Sequence, residues 1–166
     1  YILSKTEDVR AMQDRLVTGQ TTYFKLDADI DMEGTPWWPL NHTSFGNAEE
    51  DGTKFVSLDG NAHLIKNFSP STASDVNAFF GILAGETKNI GFWNTRSYEA
   101  ETGNAVLAAT LGHSLYEGTT VVQNSYFTGN VDGKALAGGV AANVEGTVAV
   151  SDVYANVNVT SVTDDA

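Results

Sequence analysis

The chain has 166 residues and carries 21 acidic against 9 basic side chains, a formal net charge of −12. The Lys and Arg residues form no cluster, so a phosphate-binding surface is excluded and nucleic acid is not an expected partner. Cysteine is absent, which removes disulfides, thiolate metal sites and thiol nucleophiles.

Residues 1–20 read as a cap. Ser4 and Glu7 have the spacing of a capping box, Val9, Met12 and Leu16 share one helical stripe, and Gly19 stands where a left-handed cap belongs. The pattern predicts an amphipathic α-helix over 4–18 that covers one end of a β body.

Residues 21–77 read as strands with loops. Tyr23 to Met32 alternates, with Phe24, Leu26, Ala28, Ile30 and Met32 on one face. Lys25, Asp27, Asp29 and Asp31 take the other, which predicts one half-buried strand. Pro36-Trp-Trp-Pro-Leu40 is a bulky corner, and at least one of Trp37 and Trp38 belongs in the core. Polar loops are expected over 41–54 and 69–77. Asp59-Gly-Asn61 marks a turn between Phe55–Leu58 and Leu64-Ile65.

Residues 78–166 repeat. Val122-Val-Gln-Asn-Ser-Tyr-Phe-Thr-Gly-Asn-Val131 returns 28 residues later as Val150-Ser-Asp-Val-Tyr-Ala-Asn-Val-Asn-Val159. Asn124 falls on Asp152, Tyr126 on Tyr154, Asn130 on Asn158 and Val131 on Val159. A related phrase starts at Lys88-Asn-Ile-Gly-Phe-Trp-Asn94, and an inserted loop is expected over 95–104. A fixed period of this size marks units that stack on their own copies. The expected fold is all-β: a right-handed parallel β-helix (solenoid) of about five coils behind the capping helix. It forms a single domain, 1–166, and is read as a piece of a larger protein, with a complete small protein as the alternative.

Three phrases carry a resemblance. They are Tyr23-Phe-Lys-Leu-Asp-Ala-Asp-Ile-Asp-Met32, then Trp38-Pro-Leu40, then Leu58-Asp-Gly-Asn-Ala-His-Leu-Ile-Lys-Asn-Phe68. With Gly81-Ile-Leu-Ala-Gly85, Asn89-Ile-Gly91 and the Asn124–Val131 strand, they resemble GLUG-motif bacterial surface proteins. The resemblance implies a right-handed parallel β-helix in secreted or cell-surface, adhesin-like multidomain chains. Such chains are common in gut Bacteroidetes, and the module also stands near the front of some IgA-cleaving proteases. It implies no shared catalytic residues. One glycine of each motif is Ala here, at Ala108–Gly112 and Gly139–Ala142.

Two groups of residues are candidates for a site. If Ser125, Phe127 and Val131 point inward, Tyr126 and Tyr154 stack outward with Trp93, beside polar ladders of Asn124 with Asp152 and Asn130 with Asn158. An aromatic row of this kind can stack on sugar rings or fill an interface; shielding of backbone is the alternative. Asp27, Asp29 and Asp31 have the spacing of a calcium loop, but Ca²⁺ wants roughly six to eight oxygens. Carboxylates about 6.6 Å apart on a strand cannot all reach one ion. A solvated acidic face is the competing reading, and no other cofactor is expected. His42, His63 and His113 lack zinc spacing. A polysaccharide lyase or hydrolase would need a base, for which Arg96, the one Arg outside the expected helix, and Lys66 and Lys88 are the candidates. Asn41-His-Thr and Asn158-Val-Thr fit the glycan-acceptor pattern and are read as chance.

The expected function is therefore non-catalytic: a secreted or cell-surface module, adhesin-like, that binds a host glycan or protein. A stalk or phage-associated assembly subunit, joined through the strand at 148–162, is the alternative. A polysaccharide-active enzyme is the second alternative. No apolar run approaches the roughly 20 residues of a membrane helix, so this segment is not expected to insert.

Overall fold

A computed structural model describes residues 1–41, 54–69, 75–98 and 100–161. Fifteen strands are present among them. The first five are β1 (Ile2–Leu3), β2 (Thr21–Leu26), β3 (Ile30–Asp31), β4 (Phe55–Asp59) and β5 (Leu64–Lys66). Next come β6 (Val76–Asn77), β7 (Phe80–Leu83), β8 (Gly85–Lys88), β9 (Gly91–Tyr98) and β10 (Gly103–Ala105). The last are β11 (Ala108–Leu111), β12 (Thr120–Gly133), β13 (Ala137–Gly138), β14 (Ala141–Val144) and β15 (Val148–Ser161).

All pairings between these strands are parallel. The repeat sets the register: Tyr126 pairs with Tyr154, Asn130 with Asn158 and Val131 with Val159. β12 is 14 residues long and pairs with β8 along its first part and β9 along its second. It thereby ties two limbs, β1-β2-β4-β8 and β3-β5-β9, into one nine-stranded sheet, with β15 on its far side. The sheets β13-β10-β6 and β14-β11-β7 hold three strands each.

This corrects the expected right-handed parallel β-helix of about five coils. The architecture is all-β, but its three sheets are unequal, and strands that are separate in the earlier repeats become continuous in the later ones. The capping α-helix over 4–18 is corrected too. Only Thr6–Arg10 form a short α turn and Gln13–Arg15 a 3-10 turn. Ser4 is not its cap; its N–H donates to Asp8 Oδ2 at 3.0 Å. A short segment gains too little from its own hydrogen bonds to nucleate a helix. Packing decides instead: Val9 and Met12 are fully buried and Leu16 packs on the core.

The single strand expected from Tyr23 to Met32 is broken by a bend at Asp27-Ala28. Its alternation survives, with Phe24, Leu26, Ile30 and Met32 all buried. The loop expected over 95–104 is largely strand, the end of β9 and the start of β10. Asn104 is buried there and closes a tight link, accepting from Ala100 N at 3.1 Å and donating to Ala100 O at 2.9 Å. The loop at 41–54 lies mostly outside the described residues, as do 70–74.

The core is aromatic. Trp37 stacks on Phe79 at 4.7 Å, and Phe79 meets Phe80 and Phe92 edge-on, both at 5.0 Å. Phe92 stacks on Phe127 at 5.7 Å. Trp37 Nε1 donates to Phe79 O, which settles its one polar atom inside the core. Trp38 is exposed.

Candidate functional site: an outward groove at Tyr126

Where the chain turns from one limb of the large sheet to the other, the corner after β4 places two residues in the left-handed region, Asn61 and Ala62, and each later corner places one. Ala62, Asn89, Asn124 and Asp152 have φ of 67°, 53°, 48° and 54°. Asn and Asp tolerate this conformation better than other side-chain-bearing residues. The side chains then bond from repeat to repeat. Asn124 Nδ2 donates to Asn89 Oδ1 at 2.8 Å, and Asn89 Nδ2 donates to Asp59 Oδ1 at 3.1 Å. The Asn61 N–H also donates to Asp59 Oδ1. A second amide ladder runs from Asn94 to Asn67 at 2.7 Å and on to Asp31 at 2.9 Å.

Beside the first ladder lies a groove of about 460 Å³. Ala62, Leu64, Ile90 and Gly91 form its floor, and Asp59, Asn61, Asn89 and Asn124 its polar rim. Tyr126 forms the wall and His63 completes the lining. The ring of Tyr126 lies where a side chain on Gly91 would be, since a Cβ there would come within 2.4 Å of it. Trp93 stands edge-on to the same ring at 6.5 Å. Burial, and then the charge of Asp29, push the Tyr126 phenol up, so it remains a protonated donor at neutral pH. Asp29 Oδ1 also lies 3.2 Å from His63 Nδ1 and accepts the Leu64 N–H at 3.0 Å. Through these contacts it orients the imidazole at the groove.

At Asp59, burial raises the carboxyl, but the Asn61 N–H, the Asn89 amide and the charges of Lys88 and Lys25 outweigh it, leaving a lowered pKa. The rim is thus an anion and a set of amides already bonded to one another.

The structure brings Trp93 and Tyr126 together and puts Tyr154 beside Tyr126 in the next strand, 62% exposed. Asn130 and Asn158 do not join them. They bond to each other at 2.9 Å, level with Arg96 and away from the groove. Asp27, Asp29 and Asp31 are exposed, but they do not converge. Asp29 holds His63 and Leu64, while Asp31 accepts from Asn67 and from the Glu33 N–H, bonds that lower its pKa. Among the described residues no group of three or more His, Asp or Glu side chains gathers as a metal site. His42 lies outside the described residues, and His113 Nδ1 accepts from the Leu115 N–H.

Sequence reasoning missed His63, Asp59, Asn61 and Asn89 as groove residues. The signal was present: an Asn or Asp precedes the outward strand in each later repeat. Its meaning needed the left-handed corners, which carry the ladder across neighbouring strands.

No protein-family model matches the chain. It is 30% identical to halomucin from Haloquadratum walsbyi, over an alignment covering 95% of this chain and 2% of halomucin. It also resembles the crystal structure of a candidate immunoglobulin A1 protease from Bacteroides ovatus, with a TM-score of 0.80 and 32% identity. That match covers 95% of this chain and 47% of the other. The chain thus spans less than half the length of either relative. No helix among the described residues is long and apolar enough to cross a membrane.

Proposed function

We propose that this chain is a non-catalytic, secreted or cell-surface module, adhesin-like in role, that holds a host glycan in the groove at Tyr126. The observation that carries the reading is an aromatic wall facing a rim of amides and one carboxylate over an apolar floor. Sugars present apolar ring faces and a fringe of hydroxyls, and such a site matches both. The coverage of only 2% of halomucin and 47% of the Bacteroides ovatus protein supports a module within longer chains. The phrases that resemble GLUG-motif surface proteins support an exported setting.

The description of the Bacteroides ovatus relative favours an enzyme instead. The groove's own chemistry speaks against that reading for this module: among the described residues no Ser, Cys, Lys or Arg lines it, and its one imidazole, His63, is tied to Asp29. Its one carboxylate is held ionised, which suits an acceptor rather than a general acid. A third reading, an assembly module, is favoured by the strand β15. Its outer edge has no partner among the described residues, and Val150 and Val159 on it are 54% and 48% exposed.

The test is Tyr126→Ala on a glycan array. It should abolish the signal of the parent chain while the melting temperature falls only slightly. Retained signal, or no signal from the parent chain, would remove the glycan reading.

A further inference from the structure

A second concavity of about 320 Å³ lies on the β2-β4-β8 limb, across the Asn89 and Asn124 corner from the groove at Tyr126, and shares Asp59 with it. Two exposed aromatics line it: Tyr1, stacked on Phe24, and Tyr23, which stands 67% exposed on β2. Lys25, Asp59 and Lys88 lie in one register across β2, β4 and β8, and Tyr23, Ser57 and Glu86 in another. Two cationic side chains, Lys25 and Lys88, stand there against two anionic ones, Asp59 and Glu86. Lys88 Nζ donates to Glu86 Oε2 at 2.9 Å, and Ser57 Oγ donates to the same oxygen at 3.3 Å.

On the reading proposed above, we infer that the two concavities are parts of one cleft, and that its ligand is a neutral oligosaccharide several rings long. Tyr23 and Tyr126 sit three strands apart and five positions along the strand direction. Strand spacing and rise put them at most about 20 Å from one another, since the corner at Asn124 shortens the straight line. That span exceeds a single ring and suits a chain with an aromatic contact near each end. The side-chain charges along the way sum to zero, with Lys88 held by Glu86 and Lys25 close enough to act on Asp59, and the net charge of −12 repels a polyanion.

The test measures affinity for disaccharides and hexasaccharides prepared from neutral mannan, β-glucan, xylan and galactan, beside oligogalacturonides of matching length. The parent chain should bind one neutral hexasaccharide at least about tenfold more tightly than its disaccharide. Tyr23→Ala should erase that advantage and leave disaccharide affinity unchanged, whereas Tyr126→Ala should weaken both lengths. Equal affinity for both lengths, with dependence on Tyr126 retained, would overturn the joined cleft and leave the glycan-binding reading standing. So would a Tyr23→Ala variant that binds like the parent. A preference for oligogalacturonides would overturn the neutral ligand, and no binding to any chain would overturn both.

Discussion

Gly91 and Tyr126 are two halves of one device. The first has no side chain so that the ring of the second can lie on the strand. Gly91→Ala would set a methyl group 2.4 Å from that ring and 2.7 Å from Leu64. Overpacking of this kind costs about 1–3 kcal/mol. The expected outcome is a lower urea midpoint together with loss of glycan signal, because the wall of the groove has moved. Asp59 contributes to acid stability in the same region. A carboxylate whose folded pKa lies below its unfolded one stabilises the fold above about pH 4, and that contribution is lost as pH falls through the folded value. Asp59 has such a lowered pKa. Melting temperature followed from neutral to acid should therefore fall less steeply below about pH 4 in Asp59→Asn than in the parent. Asp31, also lowered, continues to contribute in both proteins, though solvent screens it.

At the scale of the strand, β12 joins the molecule. It alternates Phe127 and Val131 inward, both fully buried, against Tyr126 outward. Phe127→Ala removes a ring stacked on Phe92 and should cost about 3–5 kcal/mol in urea denaturation. Tyr126→Ala should cost clearly less. The facing of β12 was legible in the sequence because the repeat is written twice: matching Tyr126 to Tyr154 sets both partner and face. The amphipathic pattern at Val9, Met12 and Leu16 was legible only as burial. It marked residues that reach the core, and the segment reaches it without a long helix because tertiary contacts override local propensity. The strand at 23–32 was legible as alternation, while its bend was not. Alternation survives a corner when the residues on either side resume the same phase, as Leu26 and Ile30 do. The groove was half legible, since aromatic residues announce themselves and corner amides do not.

At the scale of the molecule, the N-terminal segment covers one end of the core with Leu3, Val9 and Met12, while β15 leaves the other side bare. Val122 and Val131 are fully buried, whereas their partners Val150 and Val159 are about half exposed. A long strand edge with little charge invites pairing with another chain. Light scattering over a range of concentrations should show self-association of the isolated chain, suppressed when Val150→Lys and Val159→Lys are combined. A parent chain that stays monomeric throughout would remove the assembly reading. The amide ladder has a further effect on recognition. Asn89, Asn124 and Asp59 are immobilised by their neighbours before any guest arrives, so little side-chain freedom is left to surrender on contact. The cleft is a mould already set, and it should discriminate by shape, rejecting a sugar with one misplaced hydroxyl instead of bending to fit it.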